Sequence, residues 1–196
     1  MLSVAQALPR RELAATKQVR RSRLYLPQRA HDPHHIGLAP AYSLNERRRR
    51  LMAEQNMGMR MPGWYDIRSL SDLSGREEDV SGINRSRDYF HSLIDAEVAK
   101  GIPADRVVIG GFSQGGAMSL ISGITYKNQL GGIFGLSCYL LLQKTLKDLP
   151  EDSPNKKTPI FMGHGDADQV VAHKYGEMSA AALTSSGYKV DFRTYK

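Results

Sequence analysis

Short apolar runs alternate with segments of helical spacing through residues 56–196. Val107, Val108 and Ile109 form a β-branched run, which predicts a buried strand over residues 107–112. Directly after it, Ala117, Leu120, Ile121 and Ile124 recur at helical spacing, predicting a helix that starts near Gln114. Upstream, Val80, Ile83, Phe90, Ile94 and Val98 make one apolar stripe; the helix it predicts ends at Gly101 and Pro103, a terminal glycine and a breaker. GGIFGLS (131–137) reads as another buried strand, followed by a Leu-rich stretch and the Pro-bearing linker LPEDSPNKKTP. PIFMG (159–163) reads as a further strand, Val171 to Ser185 as a helix, and YKVDFRTY as a last strand. MPGWYDI (61–67) reads as a Pro/Gly turn leading into a short aromatic strand, and residues 69–79 as a polar loop. Strands alternating with helices predict an α/β fold: a mostly parallel sheet flanked by helices, with active groups at the strand C-terminal ends.

Residues 1–55 break this pattern. They contain RRELAATKQVRRSR, HDPHH and ERRRR, with poor apolar periodicity. They hold ten Arg and one Lys against four acidic residues, which accounts for the whole formal charge of +7; residues 56–196 are electrically balanced. The reading is a basic, poorly ordered or atypical segment, 1–55, ahead of a partial domain, 56–196. Three sharper readings compete. The first thirty residues are Arg-rich and acid-poor, like a mitochondrial transit peptide. RRRR has the make-up of a nuclear-import or phosphate-binding patch. His31, His34 and His35 are metal-ligand types, but no Cys or acidic cluster joins them, so no metal is expected. Because the charge is confined to this segment, it does not make the rest of the chain a nucleic-acid binder. Cys138 is the single cysteine, which excludes an intramolecular disulfide and fits a reducing compartment; the plain reading of Cys138 itself is a small buried apolar residue. No apolar run approaches membrane-spanning length.

The corner between the 107–112 strand and the helix after it carries the chemistry. Gly111, Ser113 and Gly115 in VVIGGFSQGGAMSL make G-x-S-x-G, a nucleophile elbow. The glycines permit close backbone packing, the serine is held in a strained turn with its hydroxyl off the sheet edge, and the Gln114 N–H can meet a developing oxyanion. The competing reading is a glycine-rich turn with a solvated serine. A second motif, MGHGDADQVV, puts Asp166 and Asp168 just past the 159–163 strand. An acid in that position, downstream of an elbow serine, suits a triad whose chain order is Ser, acid, His. Its task there is to orient an imidazole and stabilise its cation. The alternatives are a helix-capping turn and a His-Asp metal site.

Together, GIPADRVVIGGFSQGGAMSL, PGWYDI and HGDADQVV resemble the acyl-protein thioesterases, within the phospholipase/carboxylesterase group of the α/β-hydrolases, over about residues 56–196. The resemblance implies a cofactor-free serine hydrolase that removes palmitate and related acyl groups from protein cysteines, G-protein α subunits among them. Lysophospholipids and acyl esters are implied as minor substrates, with transient membrane-surface contact and a cytoplasmic, secondarily nuclear, location. It implies Ser113 as nucleophile, Gln114 as oxyanion donor and Asp168 as the acid. SCYLLL (137–142) resembles the family's S-C-W-L-P-L, which implies that Cys138, Tyr139 and Leu140 shape the acyl channel, and Trp64 belongs to a P-x-W-[FY]-D stretch near the site.

Two family features have no counterpart in residues 1–196: an apolar first strand ending in H-G-x-G-D, and a G-x-x-H-S segment after T-Y that carries the catalytic His. The resemblance therefore implies a general-base His beyond Lys196, the residue that follows Thr194-Tyr195. The expectations are an unpaired sheet edge and little activity for these residues alone. His91, His164 and His173 are weak substitutes: His91 reads as helix packing, His164 as a structural loop residue, and His173 as leaving the site on a helix. The rival functions are a lysophospholipase or general carboxylesterase, an acyl-binding fragment without catalysis, and a nucleic-acid module using the arginine runs.

Overall fold

The computed structural model describes residues 2–5, 24–25, 63–67 and 77–196. Its elements in chain order are β1 (Leu2–Ala5), β2 (Leu24–Tyr25), α1 (Val80–Ala99), β3 (Val108–Phe112), α2 (Gln114–Ile124), β4 (Gly132–Leu136), β5 (Ile160–Gly165), α3 (His173–Ser185) and β6 (Val190–Tyr195). They form one sheet in the order β2-β1-β3-β4-β5-β6. β3 to β6 are parallel, with Val108 opposite Gly132, Ile133 opposite Ile160 and Ile160 opposite Val190. This is the expected α/β arrangement, a mostly parallel sheet with flanking helices.

The expected open edge beside β3 is filled. β1 pairs antiparallel with β3, Val4 opposite Ile109, and with β2, Val4 opposite Tyr25. Sheet pairing uses backbone groups, so four residues of LSVA suffice without the longer apolar run that sequence patterning looks for. Apart from these two strands, the expected low order of residues 1–55 falls outside the described residues, as do His31, His34 and His35.

α2 shows why the middle of the chain reads so clearly. Every residue from Gly115 to Ile124 is buried, because the helix lies against β3, β4 and α1. A helix apolar all round belongs inside. Met118, Leu120 and Ile124 meet a core that includes Ile83, Phe90, Ile94, Ile109 and Ile133. α1 turns Ile83, Phe90 and Ile94 inward as its stripe requires, while Val80 at its first position is 50% exposed. Asp79 caps α1 by accepting from the Gly82 N–H at 2.9 Å. At the other end Gly101 takes a positive φ of 90°, the terminal glycine the sequence calls for.

Three local expectations need correction. Residues 63–67 form no strand; side chains, rather than a neighbouring strand, bond their backbone. α3 begins at His173 rather than Val171, because Asp168 holds the Val170 and Val171 N–H groups in a turn first. His164 is a buried residue of β5 rather than of the loop beyond it.

Candidate active site

Successive strand ends build the site along one rim of the sheet. The Ser113 N–H donates to the Leu136 carbonyl at 2.8 Å, tying the end of β3 to the end of β4. The Ser137 N–H donates to the Gly163 carbonyl at 2.8 Å, tying β4 to β5, and the Asp166 N–H donates to the Tyr195 carbonyl at 2.8 Å, tying β5 to β6. Ser113 and the HGDAD loop therefore share the C-terminal rim, with the end of β4 between them.

Ser113 has φ 52° and ψ −124°, a conformation rarely open to a side-chain-bearing residue and costing about 1–3 kcal/mol. The turn is tight because the backbones behind it nearly touch. A Cβ on Gly111 would lie 2.6 Å from the Gly115 carbonyl carbon, and one on Gly116 would lie 2.8 Å from the Gly111 oxygen and 2.9 Å from Cys138 Sγ. Ser113 makes no capping bond with its side chain. Its carbonyl accepts from the Ala117 N–H, the first bond of α2. The N–H of Gln114 precedes that bond and stays outside the helical ladder, at the positive end of the α2 dipole. A strained, half-buried serine beside unladdered N–H groups is the arrangement needed to present a nucleophile and receive an oxyanion.

Asp168 is held from several sides. Its Oδ1 accepts from the Val170 N–H at 2.9 Å and the Val171 N–H at 3.0 Å, and its Oδ2 lies 3.5 Å from His164 Nε2. Burial pushes the carboxyl up, but the N–H groups of Val171 and Val170, the Ser137 side chain and His164 outweigh it and hold the group below its ordinary range. Asp168 is thus kept ionised on the rim, the state an imidazole-orienting acid requires. Asp166 is exposed and lends its backbone to β6.

The three described histidines are all engaged away from Ser113. His91 Nε2 donates to the Ser122 carbonyl at 2.9 Å, and burial lowers its pKa. His164 Nε2 donates to the Val171 carbonyl at 2.8 Å. His173 Nε2 is hydrogen-bonded with Thr194 Oγ1 at 2.9 Å. Lys196 is exposed and lies one residue past the end of β6. It is not itself a site residue. Its neighbour Tyr195 is bonded to Asp166 of the HGDAD loop, so the chain reaches Lys196 at the same rim that carries Ser113 and Asp168.

The other residues named from sequence divide into two groups. Trp64 lies beside the elbow: its N–H donates to Gln114 Oε1 at 2.9 Å, and its ring stacks near Tyr89 and meets Phe90 edge-on. Cys138, Tyr139 and Leu140 are core residues, 1%, 6% and 4% exposed. Cys138 packs under Gly116 and Gly135, burial pushing its thiol up to about 12. The Tyr139 hydroxyl meets that of Tyr65 at 3.1 Å, and the Leu140 N–H donates to Ser179 Oγ. Sequence reasoning missed Ser137, which takes φ 45° at the end of β4 and supports Asp168. Its signals were its place at the end of GGIFGLS and at the head of SCYLLL, where only Cys138, Tyr139 and Leu140 were singled out. Ser86 and Asp79, which bond the 63–67 backbone, gave none.

Comparisons with known proteins agree with this geometry. The family model for phospholipase/carboxylesterase matches residues 47–196. Acyl-protein thioesterase 1 of Emericella nidulans is 53% identical over 148 residues, covering 72% of this chain and 62% of that protein. Acyl-protein thioesterase 1 of Neurospora crassa is 55% identical over 144 residues, covering 71% and 59%. The crystal structure of Arabidopsis thaliana SOBER1 superposes with a TM-score of 0.65 at 33% identity, covering 71% of this chain and 66% of that one. The chain spans about three-fifths of the length of the curated relatives it matches. With an elbow serine and a rim acid in family order on a mostly parallel sheet, the chain belongs to the phospholipase/carboxylesterase family of α/β-hydrolases.

Proposed function

We propose that Ser113 is the nucleophile of an acyl-protein thioesterase, acting on fatty acyl groups carried as thioesters on protein cysteines. The observation that carries this reading is the strained Ser113 at the end of β3, with the Gln114 N–H outside the helical ladder beside it. Ser113 Oγ attacks the thioester carbonyl carbon, and its proton passes to an imidazole base. The Gln114 N–H stabilises the resulting oxyanion. The carbon–sulfur bond breaks, the cysteine leaves as a thiol by taking that proton, and water then hydrolyses the acyl-serine by the same route in reverse. Asp168 orients the imidazole, which the family resemblance puts on a G-x-x-H-S segment. Two relatives at 53% and 55% identity that bear the thioesterase name support the thioester over the oxygen ester.

G-protein α subunits are proposed as one substrate group, and lysophospholipids as slower substrates reached by brief contact with a membrane surface. The test is turnover of a palmitoylated cysteine peptide against lysophosphatidylcholine by the protein and its Ser113→Ala variant. A higher kcat/KM on the peptide, abolished by Ser113→Ala, supports the proposal; a preference for the lysophospholipid makes the protein a lysophospholipase.

A further inference from the structure

Gln114 has a second set of bonds, made by its side chain to a loop fifty residues away. Its Oε1 accepts from the Trp64 N–H at 2.9 Å, and its Nε2 donates to the Tyr65 carbonyl at 2.7 Å. The carboxamide thus satisfies one donor and one acceptor on adjacent residues of the loop. The Trp64 carbonyl accepts in turn from Ser86 Oγ on α1, and the Asp66 N–H donates to Asp79 Oδ2 at the cap of the same helix. The loop backbone is therefore gripped between the first residue of α2 and the first turns of α1. Trp64 cannot move relative to Ser113 without breaking these bonds.

We propose that the Gln114 side chain is a positioning residue: it clamps the Trp64–Tyr65 backbone to the elbow and so fixes the loop that carries Trp64 beside the nucleophile. The inference rests on the reading of Ser113 as the nucleophile but assigns Gln114 a role separate from its backbone N–H. Only an amide serves. A carboxylate at this position faces the Tyr65 carbonyl oxygen with no proton to donate, and an asparagine is one methylene too short to reach.

Trp64 is the only tryptophan in the chain, so its fluorescence reports on this loop without any need for catalysis. The test compares acrylamide quenching of Trp64 in the wild type, Gln114→Met and Gln114→Asn, with far-UV circular dichroism to establish folding. Gln114→Met preserves volume and Gln114→Asn preserves the amide, so one remains informative if the other does not fold. Ile133→Val, a core change, controls for general loosening. The clamp predicts a red-shifted, more readily quenched Trp64 in both Gln114 variants and an unchanged Trp64 in Ile133→Val. It also predicts a rise in KM for an acyl thioester of about fivefold, the worth of roughly one hydrogen bond, with a smaller change in kcat. Wild-type quenching in folded Gln114→Met and Gln114→Asn overturns the clamp. A mobile Trp64 in those variants, in a protein whose Ser113 never reacts, leaves the clamp standing and removes the hydrolase reading instead.

Discussion

His164 Nε2 lies 3.5 Å from Asp168 Oδ2, so the strand that delivers the acid also supplies one of its supports. The same N–H donates to the Val171 carbonyl, joining both ends of the HGDAD loop to β5. His164→Ala leaves a buried carbonyl without its donor and the carboxylate without one neighbour. The expected cost is about 1–3 kcal/mol of stability, read from urea denaturation, together with a weaker hold on Asp168. An unchanged urea midpoint would mean that His164 supports neither group.

Asp168 gives a pH dependence of definite sign. Its folded-state carboxyl titrates below the ordinary value because its N–H, Ser137 and His164 partners outweigh its burial. The stability it contributes is therefore complete above the unfolded value, about 3.9, and is lost as pH falls through the lower folded value. Asp168→Asn should be less stable than the wild type near neutrality, and the gap should narrow as the pH drops below about 4. A gap that widens on acidification would contradict the ionised state assigned to this residue.

The elbow's packing predicts a stability cost separable from chemistry. A methyl on Gly111 meets backbone atoms of Gly115 and Gly116 at 2.6–2.9 Å, none of which can swing aside. Gly111→Ala should lose about 1–3 kcal/mol to overpacking and should also displace Ser113. Denaturant titration beside Ser113 labelling checks both effects. Wild-type values in both would show that the turn has room to spare.

Cys138 offers a probe of the same region. It is 1% exposed, and burial pushes its thiol up to about 12. The native protein should resist a thiol reagent at neutral pH, and denaturant should make the single thiol react fully. Fast reaction in the native state would place Cys138 at an open surface rather than beneath the elbow.

Much of this was legible because the informative residues combine pattern with chemistry. The Val107–Ile109 run followed by the Ala117–Ile124 spacing fixes a strand–helix corner, and Ser113 within it can be identified before any coordinates. Order after the elbow pointed to Asp166 and Asp168 together, and the family resemblance singled out Asp168. What stayed hidden depends on pairings across the chain. β1 is too short and ordinary in sequence to announce that it pairs with β3. The 63–67 segment looks like a strand because its residues suit one, yet Gln114, Ser86 and Asp79 side chains satisfy its backbone from distant positions. Asp168 delays α3 by two residues through a turn that no periodicity records.

The engagement of His91, His164 and His173 with Ser122, Val171 and Thr194 predicts that none of them activates Ser113. Substituting His91 or His173 should leave the reactivity of Ser113 unaltered. Loss of reactivity in His173→Ala would identify an internal base and overturn the assignment.

The central claim is that Ser113 is the nucleophile, and peptide mapping of the adduct formed with an acyl fluorophosphonate tests it most directly. The account predicts a single adduct on Ser113, missing in Ser113→Ala. An adduct on any other residue, or one that survives Ser113→Ala, would contradict it.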